Sequence, residues 1–258
     1  MIRGNTFDIR TTAYTSTTYA LYTANLYNNT VVQANKIFGK TYGYYASSMI
    51  GTSALRARVM NNSIVGYQTN FATSYGYYSV SNQYTDIFHN SVFTINPQAS
   101  SGYAVYAFYN GSSTYSTIRN NIFRDSSSSS SSTYAAYLLP STGTTYDYND
   151  YIVHTTSTNI AYHNSYGNFS RTNFAAFRSS SYGGANSINI NPQWRDVYNH
   201  AHNSLALNAG QNLISTVPTD ILGRPRTTVV TLGAYEYKQY PNDAALVQIL
   251  PNPPCLGN

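Results

Sequence analysis

Short apolar runs, each introduced by an asparagine, recur along the first two thirds of the chain. The motif is Asn, a polar residue and then a β-branched or aromatic residue, and its six copies begin at Asn5, Asn29, Asn62, Asn90, Asn120 and Asn149. The intervals are 24, 33, 28, 30 and 29 residues. A repeat of this length is typical of a solenoid, because one unit cannot bury its apolar face alone and must stack on the next.

A second motif, Tyr-x-x-Tyr, follows each asparagine motif after 13 or 14 residues. Its five copies are Tyr19/Tyr22, Tyr42/Tyr45, Tyr75/Tyr78, Tyr103/Tyr106 and Tyr134/Tyr137. The nearly constant arm from Asn to Tyr predicts ordered strands and a turn, and we expect Ser126–Ser132 to form an outer strand or turn within it. The arm from the second Tyr to the next Asn varies in length, which predicts projecting loops there.

The apolar and polar positions favour strands over helices. No long apolar stripe with a period of 3.6 residues appears, and the recurring runs are β-branched or aromatic, bounded by Asn, Gly and Ser. In Asn-x-apolar the asparagine and the apolar residue point to the same side of a strand. We therefore predict a buried stack of amides about 4.8 Å apart, formed by Asn29, Asn62, Asn90, Asn120 and Asn149.

Composition narrows the function classes. Only 9% of residues are charged, and the net charge of +5 comes from arginines and a few lysines that form no cluster, so nucleic-acid binding is not expected. No apolar stretch approaches 18 residues, so no membrane insertion is expected. The single cysteine, Cys255, cannot form an internal disulfide.

The repeat ends near residue 167, which divides the chain into three parts. We assign residues 1–167 to the coils, 168–240 to a terminal coil and C-terminal cap, and 241–258 to a linker or the start of a following domain. Asn168–Phe177 is the best candidate for a short helix. Because the first motif follows almost directly on Met1, we also expect further coils or another domain to precede this segment.

The coil sequences LYNNTVV, VMNNSIV, IFHNSVF and IRNNIF resemble right-handed parallel β-helix proteins of the pectate-lyase-like group. The later blocks NPQW (191–194), HNSLALNAG (202–210), DILGRPR (220–226) and LGAYEY (232–237) resemble the end of the β-helix in Bacteroidota choice-of-anchor surface proteins. Those proteins commonly continue into further domains and a sorting domain for type IX secretion. The resemblance covers nearly the whole chain.

Together these observations predict an all-β fold, a right-handed parallel β-helix of about six coils with a C-terminal cap. The resemblance implies an extracellular or cell-surface location. The function that we expect is a non-catalytic adhesin or spacer module of a long polypeptide, with a polysaccharide or cell-surface glycan as partner. The alternative is a polysaccharide lyase or glycoside hydrolase, since this fold hosts both binding modules and enzymes.

Few charged residues suit catalysis. Asp220, Arg226 and Glu236 occupy the charged positions of the terminal block, where an ion network that pins the closing loops is favoured over an acid/base pair. Asp147 and Asp150 are the only close acid pair in the coils, and their odd spacing places them on opposite faces of a strand. No catalytic residue, metal or cofactor is therefore assigned.

A metal site at His200 and His202 is the remaining chemical alternative. Alternate residues of a strand present their side chains on one face, and Asp196 lies close in sequence. No third ligand is evident from the sequence, however, and His202 also belongs to the terminal block of the resemblance.

The tyrosines are the remaining candidates for a binding surface. The spacing places the two rings of each pair on opposite strand faces, or on either side of a bend, so that one column packs inward and the other forms an exposed stripe. We name Tyr42, Tyr75, Tyr103 and Tyr134 as candidate ligand-binding residues, because stacked phenol rings suit sugar rings or a partner protein. The alternative is that both columns only stabilise the coils.

Overall fold

Three parallel sheets run along the molecule and enclose one core. The computed structural model describes residues 1–10, 17–68, 73–96, 103–127, 132–153, 159–191, 194–196, 201–202 and 208–236. The chain passes from sheet A to sheet B to sheet C and back, and six strands stack in parallel in each sheet, which makes a β-solenoid of about five turns from the first strand to the last. The predicted all-β parallel solenoid is confirmed.

The strands, numbered in chain order, fall into sheets A, B and C. Sheet A holds β1 (Ile2–Arg3), β4 (Val31–Gln33), β7 (Ala57–Met60), β10 (Thr85–Phe88), β13 (Thr117–Arg119) and β16 (Thr145–Asp147). Sheet B holds β2 (Thr6–Asp8), β5 (Lys36–Gly39), β8 (Ser63–Tyr67), β11 (Ser91–Ile95), β14 (Ile122–Asp125) and β17 (Asp150–Val153). Sheet C holds β3 (Tyr19–Tyr27), β6 (Tyr42–Ile50), β9 (Ser74–Val80), β12 (Val105–Gly111), β15 (Thr133–Leu138) and β18 (Asn159–His163), with β19 (Gly167–Ser170) antiparallel at its end.

The core consists of side chains stacked in register from turn to turn. Sheet A contributes the column Val32, Val59, Ile87, Ile118 and Tyr146, and sheet B contributes Ile37, Ile64, Val92, Phe123 and Tyr151. All ten side chains are at most 3% exposed. Burying a β-branched or aromatic side chain stabilises the fold by about 1.5–3 kcal/mol, so every turn contributes to the free energy of folding.

The segment after the last coil covers the C-terminal end of the solenoid. Helix α1 (Phe174–Ser179) directs Phe177 against Tyr151, with ring centroids 5.2 Å apart. Ile188 pairs in parallel with Asp150 and so extends sheet B by one position. The helix expected at Asn168–Phe177 begins later than predicted, because residues 168–170 pair with β18 as part of β19.

Residues 208–236 do not lie over that end. They form a strap along the side of the solenoid, at the corner between sheets A and B. Gly233 N–H donates to the Asn120 carbonyl, Ala234 N–H donates to Ser91 Oγ, and Asn61 Nδ2 donates to the Thr219 carbonyl. The expectation that residues 168–240 together close the end is therefore corrected for this part. The short strands β20 (Trp194–Asp196) and β21 (Ala201–His202) pair antiparallel upstream of the strap.

Candidate functional site: a face of tyrosines

Two columns of tyrosine rings run side by side along the outside of sheet C. We call them together the tyrosine face: the first column is Tyr19, Tyr42, Tyr75, Tyr106 and Tyr134, and the second is Tyr22, Tyr45, Tyr78, Tyr109, Tyr137 and Tyr162. Neighbouring rings are stacked, with centroids 4.6–5.8 Å apart in the first column and 4.3–5.4 Å apart in the second. At about 4.8 Å per turn, the longer column extends about 24 Å.

Both columns lie on the same outer face because two consecutive residues between them point inward. In β9, Gly76 and Tyr77 are both buried, while Tyr75 and Tyr78 on either side are partly exposed. The first of the two inward residues is Gly43 in β6 and Gly76 in β9, where there is no room for a side chain: a Cβ on Gly76 would lie 2.6 Å from Val92 Cγ1. The expectation that one column packs inward is therefore wrong. Side chains of a regular strand point alternately inward and outward, and the two consecutive inward residues interrupt this alternation in each turn.

Rings of the two columns meet edge to face. The angle between ring planes is 71–84° for the pairs within one strand, and stacked neighbours within a column are tilted by at most 23°. Edge-to-face and offset-stacked pairs are the favoured aromatic geometries, worth about 0.5–1.5 kcal/mol each beyond buried area. The face thus presents a ridged surface of ring edges and hydroxyl groups.

The hydroxyls of Tyr42 and Tyr109 in the face stay protonated near neutral pH. Burial, together with the neighbouring tyrosines, raises the pKa of Tyr42 and of Tyr109 to about 12. The rings are most accessible at the first turn, where Tyr19 is 40% exposed and Tyr22 is 55% exposed. A surface of this kind offers hydrogen-bond donors and apolar edges without any charge.

Three of the four predicted binding tyrosines lie in the first column. Tyr42 and Tyr75 are half-buried there, whereas Tyr134 is only 8% exposed and donates from its hydroxyl to Asn168 Oδ1. Tyr103 lies before β12 and outside both columns, because the register pairs Tyr75 with Tyr106 and Tyr78 with Tyr109. The segment YAVYAFY contains two overlapping Tyr-x-x-Tyr motifs, and the pair that joins the columns is Tyr106/Tyr109 rather than the predicted Tyr103/Tyr106.

A ladder of asparagine amides stands at the corner between sheets A and B. It consists of Asn5, Asn35, Asn62, Asn90, Asn121 and Asn149, at spacings of 30, 27, 28, 31 and 28 residues. Each Oδ1 accepts both the backbone N–H and the Nδ2 of the preceding asparagine, at 2.9–3.2 Å. At the end of the ladder, Asn149 N–H donates to Ser187 Oγ.

Three asparagines of the predicted stack, Asn62, Asn90 and Asn149, belong to the ladder. The other two, Asn29 and Asn120, do not. Asn29 is exposed and has a positive φ of 49°, and the ladder position of that turn belongs to Asn35. Asn120 is replaced by its neighbour Asn121. Asn29 lies one corner earlier, between β3 and β4, whereas Asn120 holds the left-handed position that directly precedes a ladder residue, a conformation that asparagine tolerates.

The left-handed corner column is where the strap docks. Its members are Gly4, Ala34, Asn61, His89, Asn120 and Tyr148, with φ between 53° and 70°. Asn120 Oδ1 accepts the Gln211 N–H at 2.8 Å, and its Nδ2 lies 3.0 Å from Nε2 of the fully buried His89. Burial beside Arg226 holds the pKa of His89 well below its usual value. The repeat in the sequence did not predict this column, and it placed Asn120 in the amide stack instead.

The charged residues of the terminal block form a buried network within the strap. Arg226 donates to Glu236 Oε2 at 2.9 Å and to Asn61 Oδ1 at 2.8 Å, and both ions of this pair have side chains that are fully buried. Asp220 accepts the backbone N–H groups of Leu222, Arg224 and Glu236. The three residues therefore hold the strap together and attach it to the third turn.

Carboxylates in the coils also have structural partners. Asp86 pairs with Arg56 at 2.7 Å, and Asp147 accepts N–H groups of Asn186. Asp150 is buried on the other side of the corner from Asp147 and accepts the Ile190 N–H at 3.0 Å. Asp125 points into the core, where Thr94 and Ser127 donate to it and burial raises its pKa to about 7.

Metal binding has no candidate in the part of the chain that the structure describes. No three His, Cys, Asp or Glu side chains there lie close enough together to hold a metal ion. His200 lies outside the described residues, and the side chain of His202 is not described. None of the described helices is long and apolar enough to cross a membrane.

The scan against protein-family models, the search of curated proteins and the search of solved structures gave no match.

Proposed function

We propose that this chain is a non-catalytic β-solenoid module of a secreted or cell-surface protein, and that its tyrosine face binds glycans. The observation that carries the proposal is the double column of tyrosine rings on the outside of sheet C, which is long, uncharged and regular. Phenol rings provide apolar contact for the C–H groups of sugars, and their hydroxyls exchange hydrogen bonds with sugar hydroxyls. The face suits an extended neutral polysaccharide lying along the solenoid axis.

The arrangement of the acids supports binding over cleavage. A glycoside hydrolase needs two carboxyl groups that face one glycosidic bond, and a polysaccharide lyase needs a base beside a cation site. The described carboxyl groups instead hold arginines, backbone N–H groups or core hydroxyls. The surface location is proposed on the resemblance of the terminal block to surface proteins.

A glycan array combined with a polysaccharide-degradation screen tests the proposal. We expect binding to neutral polysaccharides without turnover, and about a tenfold or greater loss of affinity in Tyr78→Ala/Tyr109→Ala, because this change removes the middle of the second column. The matched control is Tyr84→Asn/Tyr115→Asn. It removes another stacked tyrosine pair, 4.9 Å apart and outside the face, and asparagine tolerates the positive φ at both positions.

Two results would contradict the proposal. One is unchanged glycan binding when the two face tyrosines are removed from a protein whose melting temperature shows that it is folded. The other is polysaccharide turnover that disappears in Asp147→Asn or Asp150→Asn, which would establish the enzymatic alternative.

A further inference from the structure

The side chains at the corner between sheets A and B differ in size along the solenoid. At the third, fourth and fifth turns its left-handed positions are Asn61, His89 and Asn120, whose side chains fill the space beneath the strap. At the first two turns the same positions are Gly4 and Ala34. The small residues leave a cavity of about 330 Å³ between the first two turns and the strap loop that contains Thr219 and Gly223.

Two cations line this cavity from opposite sides of the corner. Arg3 lies at the end of the sheet A strand, and Lys36 begins the sheet B strand of the next turn. Neither side chain forms an ion pair or hydrogen bond with the described residues, in contrast to Arg56, Arg224 and Arg226, which are all paired. Two unpaired cations facing one cavity attract an anion.

Among the described residues, Asp220 is the only carboxylate at the cavity, and it is already neutralised. Asp220 is 2% exposed, forms an ion pair with Arg224, and accepts three backbone N–H groups through its two oxygens. Its charge is therefore not available to balance Arg3 or Lys36. The cavity retains a net positive charge, and Gln33, Asn5 and Thr6 add polar groups to its wall.

We propose that this cavity is a binding site for an oxyanion, either a carboxylate or a sulfate group, carried by a ligand about the size of one sugar residue. A volume of about 330 Å³ falls at the lower end of small-ligand sites. Arg3 supplies a planar pair of donors that matches two oxygens of the anion, and Lys36 supplies a second charge. The site lies at the corner of sheets A and B, away from the tyrosine face, and does not depend on glycan binding there.

Titration of the 258-residue protein with three probes tests the site: inorganic sulfate, a sulfated monosaccharide and a hexuronate. Amide NMR shifts of Gly4 and Gly223 report on its two sides. We expect saturable shifts with at least one probe, and a tenfold or greater loss of affinity in Arg3→Gln/Lys36→Gln. The preferred probe identifies the source of the oxyanion.

Two further variants separate the site from general attraction of anions to a basic protein. Ala34→Asn places in the cavity the side chain that the corner carries at Asn61 and Asn120. Asparagine tolerates the positive φ of 55° at this position, so we expect the variant to fold and its side chain to abolish binding by filling the cavity. Arg178→Gln removes an exposed charge on α1 at the other end of the solenoid and should leave binding unchanged.

An equal loss of affinity in Arg178→Gln would overturn the proposal, as would the absence of saturable shifts with all three probes or unchanged binding in Ala34→Asn. Binding of neutral polysaccharides is measured separately with the tyrosine variants, so the failure of one site leaves the other intact.

Discussion

At the scale of single residues, the asparagine ladder is the feature on which the solenoid most depends. Asn90 makes hydrogen bonds with both neighbouring ladder asparagines and with the carbonyls of Val59 and Phe88, and it has no exposed surface. A buried amide that loses its partner keeps the full cost of its desolvation, about 1–3 kcal/mol per group. Ladder positions should therefore be far more sensitive than other asparagines in the chain.

Asn90→Ala tests this sensitivity. We expect the free energy of unfolding in urea to fall by at least about 2 kcal/mol, because the amide of Asn62 loses its acceptor. The control is Asn29→Gly, at an exposed left-handed position that glycine tolerates, where we expect a change within about 0.5 kcal/mol. Equal effects of the two substitutions would mean that the ladder is not a principal source of stability.

A second residue-scale prediction concerns Asp125, which lies in the core. Burial raises its pKa to about 7 in the folded protein, whereas the unfolded value is near 3.8. The folded state therefore binds a proton that the unfolded state has lost between about pH 4 and pH 7. Stability should fall as the pH rises through this range, by an amount on the order of a few kcal/mol.

Asp125→Asn removes that titration. We expect the variant to match the parent near pH 4.5 and to be more stable than the parent at pH 8, as measured by urea midpoints across this range. Asp150, whose pKa burial also raises, leaves a slope of the same sign in both proteins. A pH slope identical in the variant and the parent would show that Asp125 does not titrate in this window.

At the scale of elements, the strap is held by one buried ion pair and by its contacts with the corner column. Arg226 and Glu236 have no exposed side-chain surface, and Arg226 also reaches Asn61 of the third turn. Removing one partner of such a pair leaves an uncompensated buried charge, at a cost of about 3–5 kcal/mol. Because the strap packs on the outside of complete turns, its loss should not unfold the solenoid.

We predict that Arg226→Met releases the strap locally. Hydrogen exchange should accelerate within residues 208–236 and remain slow in the strands of the coils. Arg226→Met/Glu236→Leu should restore much of the protection, since no buried charge is left. Arg224→Gln, which removes a partly exposed arginine from its pair with Asp220, is the control and should have a small effect. Global unfolding of Arg226→Met would show instead that the coils require the strap.

At the scale of the whole molecule, the solenoid separates two surfaces. Sheet C carries the uncharged tyrosine face, and the corner between sheets A and B carries the strap and the cationic cavity beneath its end. A single core connects both, because every turn contributes side chains to all three sheets. A ligand on one surface and a ligand on the other could therefore be held at the same time.

The sequence by itself determined the class of fold. A repeat of about 28 residues with β-branched and aromatic runs predicts stacked turns, since the periodicity of side chains along a strand is a local property. For the same reason Asn62, Asn90 and Asn149 could be recognised as equivalent positions, whereas the network of Asp220, Arg226 and Glu236 was expected from the resemblance of the terminal block. The scattered basic residues argue against nucleic-acid binding, and the scarcity of acidic residues argues against catalysis.

Only the tertiary structure decided the register between turns. The loops between sheets B and C differ in length, so Tyr42 follows its ladder asparagine by 7 residues and Tyr106 by 16. This is why Tyr103 lies outside the face. Asn29 is not in the ladder because it lies at the preceding corner, between β3 and β4, and Asn120 is not because it holds the left-handed position directly before Asn121. The paired inward residues that bring both tyrosine columns to one surface, and the strap that crosses several turns, arise from contacts between residues distant in sequence, which a local pattern does not encode.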